Sequence, residues 1–452
     1  MLVSDQHRLI FGRWSRPAFA VIVCALGVWC LALWTSTRTY QAAHPRSEDR
    51  RRTGTLLDLA MFLWGAGYLA ATLDGATNAS QVFTINLFGS STPITIVLYW
   101  ASLGCLLAAA VVRLPHVHRR WHNLGLLLAT LGTLAWLGEG VVRAKVLIAP
   151  ETQGFPTYSG AAWERRYVRL NREGFRDAEH TLAPPPGGRR LLLIGDSFGF
   201  GIGIRRTEER VGELVGRAMT ERTRAPWEVI NACHPDRNTI EETAVLDSTL
   251  AYRPDWVLLL YVFNDIDYLY PVTERTVLTE APVTLWQRLH PMRVLFRNSF
   301  LFQELYVRFR ALRWAHRSQP AYDPYADNAL LQRHLKDLER FVARAEHAGA
   351  RAAIVPFDPT VAASAASRGR YEVFAAAASA AGLPVWRADT TFFGKSLEAL
   401  RVNALDGHPN ELANRLVAEQ VVRRFAEAVD RQPAYGTMHA RRARPSRGHV
   451  PV

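Results

Sequence analysis

The stretch from 189 to 201 places the strongest constraint on the fold, because an apolar run stops there at a glycine-rich turn. It reads Arg-Arg-Leu-Leu-Leu-Ile-Gly-Asp-Ser-Phe-Gly-Phe-Gly. A short apolar run bounded by turn residues is typical of a buried strand, and a strand that leads through a turn into a helix ends at the carboxyl edge of an α/β sheet. The free N–H groups that begin the next helix favour negative charge. Ser197, at the tip of the turn, is therefore the first candidate for a reactive side chain.

Beyond this turn, short apolar runs alternate with segments of helical period. This alternation predicts a parallel sheet with helices on both faces. The segment 266–323 is too long for a simple crossover, and we interpret it as an insertion that roofs the site or lies on a membrane surface, with ordinary helical packing as the alternative. The predicted strands are 191–194, 227–231, 256–263, 352–356 and 384–388, and the predicted helices include 208–222, 328–348 and 411–429.

The first third of the chain is rich in long apolar segments. Each is close to the roughly 20 residues that a helix needs to cross a bilayer. The alternative is a set of buried helices, especially for the two segments that carry Asp58 and Glu139, and a cleaved signal peptide is the alternative for the first segment. The pattern predicts an all-α transmembrane region of about four helices at 17–34, 56–73, 94–112 and 124–142.

Arginines in the short loops predict an orientation for this region. Arginines are frequent at 35–55 and 113–120, whereas 74–93 contains no Lys or Arg. Positive loops stay in the cytoplasm. The prediction is a multi-pass protein of the inner (cytoplasmic) membrane, with the carboxyl-terminal domain outside the cytoplasm, in the periplasm of a Gram-negative cell.

Domain boundaries follow from composition. We predict a transmembrane region at 1–143, a connector at 144–188 that ends in Pro-Pro-Pro-Gly-Gly, a catalytic domain at 189–430 and a basic disordered tail at 431–452. The net charge of +13 is concentrated in loops and tail, which favours contact with membrane lipid or an acidic polymer and argues against a nucleic-acid partner. The four cysteines show neither a disulfide framework nor a zinc spacing.

A base for Ser197 stands near the end of the sheet pattern, in Leu-Asp-Gly-His-Pro-Asn at 405–410. A serine hydroxyl is a weak nucleophile until a base accepts its proton, and that base is usually a histidine oriented by a carboxylate. Asp406 and His408 are two residues apart, so one rigid turn would present both. The competing interpretation is a plain Asp-Gly turn.

Four motifs stand in order along the chain: Gly195-Asp196-Ser197, Asn231, Asn264-Asp265 and Asp406-Gly407-His408-Pro409-Asn410. Together they resemble the blocks of the SGNH (GDSL-like) hydrolase family. The resemblance covers roughly 171–428 and implies a flavodoxin-like three-layer sandwich with a parallel sheet. It implies that Ser197 is the nucleophile, His408 the base and Asp406 its carboxylate. It also implies an oxyanion hole formed by the side chain of Asn264 and the backbone N–H of Ser197.

The sequence departs from the family pattern at two places. Asp236 stands where the family has a glycine whose N–H completes the oxyanion hole, and it adds a negative charge there unless a cation such as Arg237 offsets it. A backbone with φ above zero would also cost more for Asp than for Gly. The second departure is Asp-x-His in place of the commoner Asp-x-x-His.

These features predict a membrane-anchored serine esterase or O-acyltransferase that acts through an acyl-Ser197 intermediate. The expected substrate is an O-acyl group of a cell-envelope or extracellular polysaccharide, or a small ester. No cofactor and no metal is expected, because a dinucleotide turn would need a different glycine spacing and His116, His118 and His122 lie in a short basic loop. The alternative is an inactive SGNH domain that binds polysaccharide within an assembly of envelope proteins, which Asp236 would help to explain.

Overall fold

The computed structural model describes residues 119–269, 299–315 and 323–430, two short strands at 84–87 and 90–93, and isolated positions between 56 and 108 and at 292 and 296. The chain divides into two compact units. One comprises Met1–Glu151 and Ala281–Tyr306, and the other comprises Thr152–Glu280 and Val307–Val452. All residues of the candidate site belong to the second unit.

The helices and strands are numbered in chain order. The strands are β1 (Thr84–Leu87), β2 (Ser90–Pro93), β3 (Arg189–Gly195), β4 (Trp227–Asn231), β5 (Trp256–Tyr261), β6 (Arg351–Pro356), β7 (Arg401–Asn403) and β8 (Asp406–Pro409). The α-helices are α1 (Arg119–Ile148), α2 (Tyr158–Tyr167), α3 (Ser197–Phe200), α4 (Val211–Thr223), α5 (Thr239–Thr249), α6 (Phe300–Ala315), α7 (Asn328–His347), α8 (Ala365–Ala380), α9 (Leu397–Leu400) and α10 (Glu411–Asp430). Short 3₁₀ helices lie at Thr207–Glu209, Leu250–Tyr252, Phe263–Leu269, Pro359–Ala362 and Asp389–Phe392.

A four-stranded parallel sheet in the order β4-β3-β5-β6 forms the centre of the second unit. Every residue of β5 is buried, as is β3 from its second residue onward. Continuous apolar strands are expected where helices cover both faces of a parallel sheet. Helix α4 packs against α10, and α5 packs against α7. Because parallel crossovers are right-handed and the chain reverses direction at β4, these two pairs cover opposite faces.

The strand order of this sheet reverses between β3 and β5. The chain runs from β3 outward to β4 and then returns past β3 to β5. Gly195, at the end of β3, is in register with Leu260 of β5. In sheets of this topology, ligands bind where the strand order reverses. Ser197 and Asn264 follow these two strand ends.

The strand predicted at 384–388 is almost absent from the structure. Only Val385 pairs, as a single parallel bridge to Ile354. The backbone approaches β6 through two hydrogen bonds, from Ile354 N–H to the Pro384 carbonyl and from Trp386 N–H to the Ile354 carbonyl. A fifth strand therefore begins at the sheet edge but does not continue.

The expected fold is corrected in its first third, where a transmembrane region was predicted. No helix in the part of the chain that the structure describes is both long and apolar enough to cross a membrane. The segments 17–34, 56–73 and 94–112 lie outside the described residues, apart from isolated positions. The segment 124–142 lies within α1, whose uncharged run ends at Glu139. The predicted multi-pass location and the placement of the catalytic domain outside the cytoplasm are therefore not retained.

Glu139 shows what the acid in that segment does. Its carboxylate accepts hydrogen bonds from the backbone N–H groups of Phe300 and Leu301, at 3.0 and 2.9 Å, and from the Ser299 hydroxyl at 2.8 Å. Arg143 pairs with the same carboxylate. A carboxylate at the N-terminus of a helix satisfies otherwise unpaired N–H groups. Glu139 therefore caps α6.

Candidate active site

Ser197 lies at the first turn of α3, immediately after β3. Asp196 is the N-cap of this helix, and its Oδ1 accepts a hydrogen bond of 2.9 Å from the Phe198 N–H. Gly201 closes the turn with φ of 77°, in the left-handed region that glycine adopts readily. Gly199 allows close packing, because a Cβ there would lie 2.4 Å from the Cys233 sulfur. The glycines thus make a turn that is too tight for other residues.

A hydrogen-bonded chain joins Ser197, His408 and Asp406. The Ser197 hydroxyl lies 3.0 Å from Nε2 of His408. Nδ1 of His408 bonds to Oδ1 of Asp406, which also accepts the backbone N–H of His408 at 3.1 Å. Because the ionised carboxylate can only accept, Nδ1 carries the hydrogen and Nε2 is free to accept the serine proton. The structure thus brings together three residues that were predicted from two separate motifs.

Asp406 and His408 lie on a short strand, not on the single turn that their spacing suggested. Strand β8 pairs antiparallel with β7, with Asn403 opposite Asp406. Residues two apart on a strand face the same side. This periodicity gives both side chains one direction, so Asp-x-His suffices for their contact. The edge of the Phe198 ring packs against the His408 imidazole, with centroids 5.4 Å apart.

The ionisation of this pair favours a charged Asp406 and a basic His408. Burial raises the pKa of the Asp406 carboxyl, but the hydrogen bond and charge of His408 outweigh this and hold that pKa below its usual value. Burial likewise opposes protonation of His408, whereas the hydrogen bond and charge of Asp406 raise its pKa above the ordinary 6.5, helped by the charges of Asp196 and Asp236. The imidazole is therefore a stronger base than a free histidine.

Asn264 and Ser197 both form hydrogen bonds to the Asp196 carboxylate. Its amide Nδ2 donates to Oδ2 of Asp196 at 3.3 Å, and the Ser197 hydroxyl lies 3.4 Å from the same oxygen. The Asn264 side chain is exposed, so a bound molecule can reach it. Its position at the start of the Phe263–Leu269 3₁₀ helix follows from the end of β5.

Asp236 has the backbone conformation of a glycine. Its φ is 62°, in the left-handed region that side chains other than those of Gly, Asn and Asp rarely adopt. Within the residues that the structure describes, the N–H groups of Asp236 and Ser197 donate to no other group. The Asp236 side chain is exposed, and its charge raises the pKa of His408. Asp236 therefore supplies a free N–H and also a negative charge near the site.

Three buried acids lie behind the serine turn. Burial raises the pKa of Asp196 to about 6, and it raises the pKa values of Glu242 and Asp265 well above their usual range. The negative charges of these acids oppose one another's ionisation. One Asp265 oxygen accepts the Val262 N–H at 2.9 Å. These side chains thus add less negative charge to the interior than their number suggests.

Arg176 and Asp177 are structural residues of the site whose roles were not predicted from the sequence. The buried Arg176 guanidinium donates to the carbonyls of Gly201 and Ile204, both at 2.7 Å, and at longer distance to those of Phe200 and Tyr167. Asp177 accepts the backbone N–H of Asn231 at 2.7 Å. The segment 171–177 therefore holds the loop after Ser197 and the end of β4.

Metal ligands were not predicted, and no group of three or more His, Cys, Asp or Glu side chains within the described ranges is arranged to hold a metal ion. His116 and His118 lie outside those ranges, and His122 lies on α1.

Comparison with known proteins gives a structural match only. No protein-family model and no curated protein matches the sequence. Similar solved structures include a member of the lipolytic protein G-D-S-L family from Veillonella parvula, with 12% identity over 53% of this chain and 99% of that chain and a TM-score of 0.33. They also include a psychrotrophic esterase from Pseudoalteromonas, with 14% identity over 54% and 99% of the two chains and a TM-score of 0.32. A lipase/acylhydrolase from Enterococcus faecalis has 14% identity over 54% and 100% and a TM-score of 0.33.

The identities and TM-scores of these structures are low, so the function proposed below is inferred from the geometry around Ser197 alone.

Proposed function

We propose that this chain is a serine ester hydrolase that acts through an acyl-Ser197 intermediate. One observation carries the proposal: the Ser197 hydroxyl lies 3.0 Å from Nε2 of His408, whose Nδ1 is bonded to Asp406. This is the arrangement of nucleophile, base and orienting carboxylate that activates a serine. Ser197 is only 9% exposed and His408 is half-buried, so the nucleophile is nearly covered while its base is partly accessible to solvent.

In the first half of the reaction, Oγ of Ser197 attacks the carbonyl carbon of the ester while Nε2 of His408 takes the hydroxyl proton. The oxygen of the tetrahedral intermediate carries the negative charge. When the intermediate collapses, the bond to the alcohol breaks and His408 returns the proton to the leaving oxygen. The products are the free alcohol and an ester between the acyl group and Ser197.

In the second half, a water molecule takes the place of the alcohol. His408 accepts a proton from the water as its oxygen attacks the acyl carbonyl, and it then returns that proton to Oγ of Ser197. The carboxylic acid leaves and the serine is restored. If an alcohol or sugar hydroxyl attacks in place of water, the same intermediate gives acyl transfer.

Three donors are assigned to the oxyanion. They are the backbone N–H groups of Ser197 and Asp236, which are free in the described part of the chain, and Nδ2 of Asn264. Asn264 now donates to Asp196, and it must exchange that partner for the oxyanion. Loss of one such donor costs about 100- to 1,000-fold in kcat in related chemistry. Asn264→Ala is therefore expected to slow the reaction to that extent.

An acylated polysaccharide was predicted as the substrate because of the expected envelope location. That location is not retained, so the proposal is confined to carboxylic esters without naming the acid or the alcohol. The binding-module alternative makes the opposite prediction, that Ser197 does not react.

The test is reaction of the purified full chain with a fluorophosphonate, followed by hydrolysis of 4-nitrophenyl acetate. We expect Ser197→Ala to abolish labelling and His408→Ala to slow turnover by at least about 1,000-fold. Matched controls are Ser248→Ala and His347→Ala, at exposed positions on α5 and α7. A wild-type chain that is folded but unreactive would contradict the proposal and favour a binding module, and labelling that survives in Ser197→Ala would contradict Ser197 as the nucleophile.

A further inference from the structure

A chain of buried hydrogen bonds links helix α7 to the loop that carries Asn264. The Tyr325 hydroxyl donates to the carbonyl oxygen of Phe263 at 3.0 Å. The hydroxyls of Tyr325 and Tyr261 lie 2.5 Å apart, and the Tyr261 hydroxyl lies 2.9 Å from Nε2 of His334. Tyr261, Tyr325 and His334 are at most 3% exposed. The carbonyl at the end of the chain belongs to the peptide bond between Phe263 and Asn264.

The same helix also holds the far end of the Phe263–Leu269 3₁₀ helix. The Tyr268 hydroxyl donates to Oδ2 of Asp337 at 2.6 Å and lies 3.3 Å from Nδ1 of His334. Arg340 donates to the other oxygen of Asp337 at 2.6 Å. His334 therefore lies between two tyrosines that flank Asn264 in the sequence, one at the end of β5 and one four residues after Asn264.

Counting hydrogens fixes the direction of every bond in the chain. A carbonyl oxygen only accepts hydrogen bonds, so the Tyr325 hydroxyl donates its one hydrogen to the Phe263 carbonyl. The Tyr325 oxygen must therefore accept a hydrogen bond from the Tyr261 hydroxyl. Tyr261 in turn has no hydrogen left and must accept from Nε2–H of His334. Burial lowers the pKa of His334 to about 3, so the imidazole is neutral and Nδ1 carries no hydrogen. The neutral Nε2–H tautomer is the only one that completes the chain.

We propose that His334, acting through Tyr261 and Tyr325, positions the Asn264 amide for the oxyanion. The inference rests on the proposed esterase function. The Asn264 side chain is exposed, and its one hydrogen bond to a described residue is the long bond to Asp196, so its placement depends on its backbone. The Phe263 carbonyl also lies at the start of the Phe263–Leu269 3₁₀ helix, so without the Tyr325 hydroxyl the peptide before Asn264 keeps its helical bonding but is held less firmly. His334 touches no reacting atom and is a positioning residue.

The first test compares two tyrosines that contact the same phenylalanine. The Tyr371 ring lies 3.9 Å from the Phe263 ring, but its buried hydroxyl has no hydrogen-bond partner among the described residues. Tyr325→Phe is expected to lower kcat for 4-nitrophenyl acetate by about tenfold, with KM changed by less than about twofold, because an oxyanion donor acts in the transition state. Tyr371→Phe is expected to leave both constants unchanged. Equal effects of the two substitutions would overturn the proposal.

A second test asks whether the effect passes through Asn264. In an Asn264→Ala background, Tyr325→Phe is expected to cause no further loss of kcat, since the group that it positions is gone. His334→Gln, which keeps an N–H donor, is expected to retain more activity than His334→Leu. Independent losses in the double variant, or equal losses in the two His334 variants, would contradict the positioning role.

A third measurement does not depend on activity or on any variant. The ¹⁵N and ¹H chemical shifts of the His334 ring in the wild-type chain are expected to show the neutral Nε2–H tautomer at neutral pH, and the Nδ1–H tautomer would overturn the proposal. A wild-type chain that does not react with fluorophosphonate refutes the esterase function and this role with it. A reactive wild type with an unaffected Tyr325→Phe variant refutes the positioning role alone.

Discussion

Replacing Arg176 by methionine is expected to lower the free energy of unfolding of the second unit by about 2 to 4 kcal/mol. The guanidinium is 1% exposed and donates to four backbone carbonyls. Methionine has similar length and fills the space, but it donates no hydrogen bond. The substitution therefore separates the hydrogen bonds of Arg176 from its packing against Trp163 and Phe200.

The magnitude follows from the quality of these bonds. Two of the four have N···O distances of 2.7 Å, to Gly201 and Ile204, and the other two are 3.2 and 3.3 Å. Hydrogen bonds to a charged group contribute about 1.5 to 3 kcal/mol each, so the two short ones account for about 3 to 6 kcal/mol. Burying the guanidinium has a cost, which also lowers the pKa of Arg176 to about 10, aided by the charge of Arg210. This cost disappears in the variant and offsets part of the loss.

The assay is urea denaturation followed by tryptophan fluorescence, with the rate of fluorophosphonate labelling measured on the folded variant. Arg176→Lys keeps a positive donor and is expected to recover part of the stability. Arg415→Met, at an exposed position on α10, is the matched control and is expected to change the free energy by less than about 0.5 kcal/mol. A loss below about 1 kcal/mol in Arg176→Met, with unchanged labelling, would refute the reasoning.

Two further predictions concern charge at the site. Asp236→Gly removes the left-handed strain and a negative charge near the oxyanion, so fluorophosphonate labelling should become several-fold faster and the free energy of unfolding should rise by about 0.5 to 1 kcal/mol. The control variant Asp236→Asn removes only the charge. Slower labelling in both variants would contradict this prediction. Turnover should fall as the pH drops through a His408 pKa above 6.5, because the base must be neutral, and Asp236→Asn should move this midpoint to lower pH. Since that pKa is raised in the folded chain, protonated His408 stabilises the fold below pH 6.5, and this contribution is lost as the pH rises through the folded-state value.

The centre of the parallel sheet was predictable because β3 and β5 are buried on both faces, which makes their apolar runs continuous. Strands β3 and β4 lie within about two residues of the predicted bounds. The run at 384–388 is also apolar, but it contains Pro384 and Arg387 and lies at the sheet edge, where only Val385 pairs. The local sequence does not show how many residues of an edge segment pair with the adjacent strand.

The membrane prediction was wrong for a related reason. Hydropathy averages over a whole segment, so it does not report what a single acid within the segment contacts. In α1, Glu139 contacts Ser299 and the start of α6, which are distant in sequence. The predicted location depended entirely on this region.

The candidate site was predictable where its chemistry is carried by residue identity. Ser197, Asp406 and His408 could be paired because a nucleophile needs a base and the base needs a carboxylate. Arg176 and His334 act through backbone carbonyls and tyrosine hydroxyls from segments far away in the sequence. No spacing rule reports such contacts, so their roles emerge only from the folded chain.

Trapping the acyl-enzyme tests the central claim most directly. The wild-type chain is mixed with 4-nitrophenyl acetate, quenched with acid within the first turnover and digested for peptide mass mapping, with Ser197→Ala treated identically. The account predicts an acetyl group on the peptide that contains Ser197, formed in step with release of nitrophenol, and none in the variant. Turnover without acetylation of Ser197, or equal turnover in Ser197→Ala, would contradict it.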